Sequence, residues 1–192
     1  MILYKRMKIN ITMLLTFFLV ISSYFNKTAS GQNHYTLIKA LDNIEIRKYH
    51  ESMNASYFDK KTDNYFRNLA NYIFGGNDKK QQISMTSPVT MRLHGNKEMI
   101  FRLPNNFLED SIPQPDNSKI SIFKIPSTVK AIIKYSGYSN TKIEKAKKIE
   151  LIKILKKYNI EHKNDFEVNV YNPPYQFINR KNEITVTTTT TF

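Results

Sequence analysis

The stretch IEIRKYHESMNASYF, residues 44–58, decides how this chain folds. Ile44 and Ile46, with Lys48, share one side of an extended segment, and Met53, Ala55 and Tyr57 alternate again after a break at His50-Glu51-Ser52. A two-residue period is the mark of a β-strand, so the stretch predicts two strands joined by a turn. The pattern returns in ISIFKIPSTVKAIIK, residues 120–134. A shift of 76 residues lays Ile44 on Ile120, Ile46 on Ile122, Lys48 on Lys124, Met53 on Val129 and Ala55 on Ala131.

Each stretch runs on into a helix and two more strands. In the first half, Thr62 or Asp63 can cap a helix over roughly 63–74, which stops at Gly75-Gly76. Its apolar stripe is Tyr65, Leu69, Tyr72 and Ile73. Strands are expected near 83–93 and 97–103, turning at His94-Gly95-Asn96. In the second half, Ser139 or Asn140 caps a helix to about Tyr158 with the stripe Leu151, Ile154, Leu155 and Tyr158. Strands near 165–171 and 183–190 follow. Residues 104–118, with three prolines, read as a long surface connection. Pro88, inside MTSPVTM at 85–91, predicts an edge or bulged strand. The threonine run 187–191 fits an edge strand or a frayed tail. The fold class expected is α+β: a duplicated β-α-β-β unit forming a distorted antiparallel β-barrel or sheet with two packed helices. The groove between the halves, near their two-fold axis, is the natural ligand site.

Ahead of this, residues 1–30 form a separate unit. Lys5, Arg6 and Lys8 precede an apolar run from Met13 to Ile21, and Thr28-Ala29-Ser30-Gly31 offers small residues for cleavage. That order predicts a secretory signal peptide over 1–30 and a single domain over 31–192, exported to the periplasm or secreted. The strict apolar run is shorter than the ~20 residues a bilayer span needs; counting Ile9 to Phe25 leaves an uncleaved anchor as the alternative. The chain has no cysteine, which removes disulfides, thiolate ligands and thiol nucleophiles. Its net charge is +13, of which residues 1–30 supply four cations and no acids, leaving +9 on the rest. The lysines are scattered, and the densest cluster, Lys142 to Lys157, shares its helix with Glu144 and Glu150. A solvated helix face accounts for them, so no nucleic-acid partner is expected.

The catalytic inventory is thin. His34, His50, His94 and His162 are dispersed without metal-ligand spacing, and HExxH and GxSxG are absent. Gly75-Gly76-Asn77 follows a helix, which makes it a C-terminal stop and not a phosphate loop. Asn54-Ala55-Ser56 matches a glycosylation sequon.

The segments IEIRKY (44–49), YIFGGN (72–77), ISMTSPVTM (83–91), FRLP (101–104), IPQP (112–115), YSGYS (135–139), YNPP (171–174) and NRKNEI (179–184) occur in an order that resembles the SOUL haem-binding protein family. The resemblance covers Tyr35 to Val186. It implies a duplicated α+β fold, with two helices on a distorted antiparallel barrel, that binds haem or a related tetrapyrrole. It also implies a groove between the first helix and the loop before the last strand. On this chain that is Phe66, Arg67 and Ala70 with Tyr175, Phe177 and Arg180. Some relatives place an axial histidine at the position of Lys48; here His50, two residues on, is the metal-ligand candidate. The residues alone allow two readings of Phe66: an apolar strip beside Arg67, suited to a porphyrin, or a widening of the core stripe.

The expected function is therefore non-catalytic binding of haem or a related tetrapyrrole outside the cytoplasm. The alternatives are a module for another small apolar effector, or a hydrolase using the same groove.

Overall fold

A computed structural model describes residues 34–192 except 62, 63, 96 and 108. The leader over 1–30, the capping choices Thr62 and Asp63, and Asn96 of the turn lie outside the described residues. The strands are β1 (Tyr35–Leu41), β2 (Ile44–Tyr49), β3 (Ser52–Tyr57), β4 (Val89–Arg92), β5 (Met99–Arg102), β6 (Ile120–Ile125), β7 (Thr128–Ser136), β8 (Glu167–Val170) and β9 (Lys181–Thr187). Helix α1 (Tyr65–Ile73) lies between β3 and β4, and α2 (Thr141–Lys157) between β7 and β8. All pairings are antiparallel, in one nine-stranded sheet of order β1-β2-β7-β9-β8-β4-β5-β3-β6. The fold is α+β on a distorted sheet that stays open between β1 and β6. With β1 set aside, exchanging β2 for β6, β3 for β7, β4 for β8 and β5 for β9 reproduces the same order from the other end. The β4–β8 pair is its centre.

The register puts the alternating apolar residues on one face: Ile44 opposite Ile133, Ile46 opposite Ala131, and Ala55 opposite both Phe101 and Ile122. Both helices pack there. Leu151 and Leu155 of α2 close one core with Ile44, Ile46, Ala131, Ile133, Ile184 and Val186. Leu69, Tyr72 and Ile73 of α1 close a second with Ala55, Tyr57, Phe101 and Leu103. Asn140 caps α2, its side-chain oxygen accepting from the backbone of Lys142 and Ile143.

The other face has no helix over it, yet Arg47, Glu183 and Thr185 are fully buried there. Curvature does this. On that face the Arg92 guanidinium of β4 lies 5.5 Å over the Phe123 ring of β6. Three strand spacings, ~14 Å on a flat sheet, separate those strands. The concave side is thus a second, polar interior.

Four expectations need correction. Pro88 precedes β4 instead of interrupting it, and β4 is an inner strand between β8 and β5, because its backbone pairs begin at Val89. The threonine tail starts in an inner strand: β9 pairs with β7 and β8, and Thr185, Thr187 and Thr188 are buried. The connection 104–118 is not all surface, since Ile112 joins the α1 core and the Tyr72 hydroxyl donates to Pro113 O at 2.9 Å. The α2 stripe is narrower than expected, with Leu151 and Leu155 buried but Tyr158 exposed.

Candidate ligand groove

The two cores are separate clusters, and the seam between them runs over the central strands β4 and β8. Val89 and Val170 face each other across that seam. Both are only partly buried, because α1 packs to one side and α2 to the other. On the helix face, Phe101, Val89, Val170 and Asn182 form one continuous cross-strand row. It spans three strand spacings, ~14 Å. Its partly open, apolar part is the Val89–Val170 pair, since Phe101 and Asn182 are buried, and an apolar strip between two helices is a natural place for a flat apolar ligand.

At one end of the row stands α1. The Phe66 ring packs edge-on to Phe101, with ring centres 5.4 Å apart, and remains 46% exposed. Phe66 thus touches the core and leaves part of its ring exposed. Arg67 is exposed beside it, and Ala70 is half-buried one turn on.

At the other end, the segment 171–180 leaves β8 directly after Val170. It carries Tyr175, Phe177 and Ile178, each about three-quarters exposed. Phe177 packs edge-on to Tyr138, which donates to Pro174 O at 3.2 Å. Arg180 is buried in the base of this loop. Its Nη1 donates to Pro173 O (2.7 Å) and Gln176 O (2.9 Å), and its carbon Cζ lies 4.6 Å over the Tyr138 ring. Its Nε has no hydrogen-bond partner. The guanidinium therefore shapes the loop, and Arg67 is the cation of the expected set that faces solvent.

The structure thus brings Phe177 and Arg180 together around Tyr138, with Tyr175 on the same loop, and carries Phe66, Arg67 and Ala70 on α1, where Phe66 touches Phe101. His50 is not on this row. It is exposed in the turn between β2 and β3, two residues before Ser52. Ser52 itself is ~10 Å along β3 from Ala55, the partner of Phe101. Among the described residues, no group of three or more His, Cys, Asp or Glu side chains is placed to hold a metal ion.

Behind the row lies the concave polar face, which sequence reading missed. Arg47 and Glu183 are paired there, and the Tyr171 hydroxyl donates to Glu183 at 2.6 Å. Burial, and then the Glu183 charge, push the Tyr49 and Tyr171 phenols well above the ordinary tyrosine range. Separately, a shallow depression of about 560 Å³ at the C-terminal end of α2 is lined by Ile152, Lys156, Ile160 and His162 among others. It is wide open and mixes charged with apolar walls, so the seam is the better candidate.

The family model for the SOUL heme-binding protein matches residues 31–187. The chain belongs to this family. No curated protein matches the sequence. Among solved structures, this SOUL-family chain is similar to the EcmrR C-terminal domain at 12% identity and a TM-score of 0.56, covering 82% of this chain and 99% of that one. It is also similar to a hydrolase from Listeria innocua at 8% identity and a TM-score of 0.53, covering 79% and 94%. At such identities the likeness is one of fold. Among the described residues no helix is long and apolar enough to cross a membrane.

Proposed function

We propose that this protein is a non-catalytic, extracytoplasmic carrier of haem or a related tetrapyrrole, held over the β4–β8 seam. Membership of a heme-binding family supports the ligand class. The observation that carries the site is the half-buried pair Val89–Val170 at the seam, with the exposed Phe66 against the neighbouring Phe101 and the exposed Tyr175 and Phe177 on the loop that follows Val170. Aromatic side chains stack on a macrocycle, and the exposed Arg67 beside Phe66 would meet a carboxylate at the rim. The exchange symmetry of the sheet supports reading the domain as two copies of one unit with the ligand at their junction.

Haemin titration followed by absorbance tests this. Phe66→Ala and Phe177→Ala should each weaken binding by ~1–3 kcal/mol through lost apolar contact. Unchanged affinity in both variants would move the site elsewhere. Axial ligation by His50 is proposed as a separate mode, because its turn lies off this row. A histidine-ligated spectrum at pH 8 that His50→Ala abolishes would seat the haem at the β2–β3 turn, and an unaltered spectrum rejects that mode.

One observation favours a second reading. Arg180 is committed to backbone carbonyls, which leaves the groove poorer in cations than a dicarboxylate porphyrin would use. A neutral apolar effector fits that balance, and failure to bind haemin with an intact fold would select it. Export is tested by the N-terminus of the protein recovered from its host, expected near Gly31.

A further inference from the structure

The tip of the loop between β8 and β9 exposes more apolar surface than a groove wall requires. Tyr175, Phe177 and Ile178 are each about three-quarters exposed, the highest values among the exposed large apolar side chains of the described residues. Tyr138 adds a further half-exposed ring against Phe177. At ~150–250 Å² for a large aromatic side chain, the tip presents a patch of several hundred Å². A patch of that size marks a surface built to be covered.

The electrostatics say what covers it. Two segments make the tip, residues 171–182 and 134–143, joined by Tyr138 donating to Pro174 O and by Asn182 donating to Gly137 O. Neither contains an acidic residue. Of their cations, Lys134 pairs with Glu45, Lys181 lies 3.6 Å from Glu183 and Arg180 is buried, which leaves Lys142 as the exposed charge. Lys142 is exposed, as is Lys145 one turn along α2, while Glu144 between them is tied to Ser139. Outside the first thirty residues the chain carries a net +9. Exposed aromatic and aliphatic side chains beside the exposed Lys142 and Lys145, with no acid in either segment, form the pattern of a surface that enters the headgroup layer of an anionic bilayer. A protein surface of the same size would need acids to meet these cations, and a second copy of this chain brings the same positive tip.

We infer that the loop 172–180 is a membrane-docking tip, with Tyr175, Phe177 and Ile178 entering the interface of an anionic lipid surface and Lys142 and Lys145 meeting its headgroups. The inference goes beyond ligand binding, and no arm of its test contains haemin. On the proposed function the loop also forms one wall of the groove, and docking would then bring the groove mouth to the bilayer surface, where apolar ligands partition.

The chain contains no tryptophan, so a single introduced one reports its own surroundings. The full-length protein is prepared as Phe177→Trp, with Ile178→Trp as a second reporter and Tyr158→Trp, at the far end of α2, as the control. Each is mixed with vesicles of phosphatidylcholine alone, or with 30 mol% phosphatidylglycerol (about one charged lipid in three, within the anionic range of natural leaflets), both with and without brominated acyl chains. The expected result is a blue shift and bromine quenching for both tip reporters in the anionic vesicles, at least about tenfold weaker with neutral lipid, and neither effect at Tyr158→Trp. Adding Ile178→Asp to Phe177→Trp should abolish the quenching. The control separates tip insertion from vesicle binding through the leader, which would hold the protein on lipid without quenching at the tip. Unquenched tip reporters overturn the inference, as does equal quenching in neutral and anionic vesicles. A blue shift that grows with protein concentration without lipid overturns it in favour of self-association.

Discussion

Arg47 on β2 reaches across β7 to Glu183 on β9, and neither side chain has any solvent exposure. Both guanidinium Nη atoms lie 3.1 Å from one carboxylate oxygen, and the other oxygen accepts from Tyr171. Glu45 and the ring of Tyr35 complete the surroundings of the arginine. A buried pair so fully satisfied contributes little relative to an apolar replacement, but removing one partner strands the other. Glu183→Leu alone should lower the unfolding free energy by ~3–5 kcal/mol, and Arg47→Met by a similar amount. The double variant should lose less than either single one. Urea denaturation midpoints with unchanged slopes check this.

The buried phenols set an alkaline limit. Tyr49 and Tyr171 are held protonated by burial first and then by the Glu183 charge, and burial raises Tyr72 to about 12, helped by Asp78. An unfolded tyrosine ionises near ~10. Above that pH the unfolded chain has released protons that the folded chain still holds, so stability falls as pH rises. Below pH 10 these tyrosines should leave the unfolding midpoint independent of pH. Above it, the midpoint should drop, and part of the phenolate absorbance should appear only on unfolding. Full phenolate absorbance near pH 10.5 with the fold intact would contradict the assignment.

Leu69 and Phe66 lie three residues apart on α1 with opposite duties. Leu69 is fully buried in the α1 core, whereas Phe66 is half-exposed. Leu69→Ala should cost ~2–5 kcal/mol of stability and leave a folded but weakened protein. Phe66→Ala should cost well under half as much by the same denaturation assay.

Gly76 has no room for a side chain. A Cβ there would stand 2.5 Å from the Asn71 amide nitrogen and 2.8 Å from the Asn71 carbonyl, the group that accepts from Gly76 N. Gly75, before it, turns the chain with a positive φ of 106°. Gly76→Ala should destabilise the fold by ~1–3 kcal/mol through this backbone clash. A thermal midpoint equal to the parent's would show that the α1–β4 connection relaxes freely.

Much of this architecture could be read from residues 44–58 and 120–134, because β2, β3, β6 and β7 each bury one face and so alternate. β1 escaped notice since Thr36 to Ala40 are exposed, and an edge strand with little to bury leaves no period. Arg47 sits at what a strand reading takes for a solvent position; only the curl of the whole sheet buries it. The seam residues Val89 and Val170 belong to strands four residues long, too short to show a pattern. Arg180 matches the family motif as a ligand cation, but its hydrogen bonds to Pro173 and Gln176 depend on how the loop closes, which the order of residues does not state.

Because the sheet stays open, β1 and β6 each end it with a row of backbone groups free to pair with another chain. Such seams invite edge-to-edge stacking and, in the end, fibrils. β1 blunts its own edge with an irregularity between Leu37 and Lys39, and β6 carries Lys124 at its border. The stronger guard is collective: a molecule this positive repels its copies at every approach. Salt weakens that guard over distances beyond ~10 Å, so the colloidal lifetime of this protein is set by ionic strength more than by the depth of its cores.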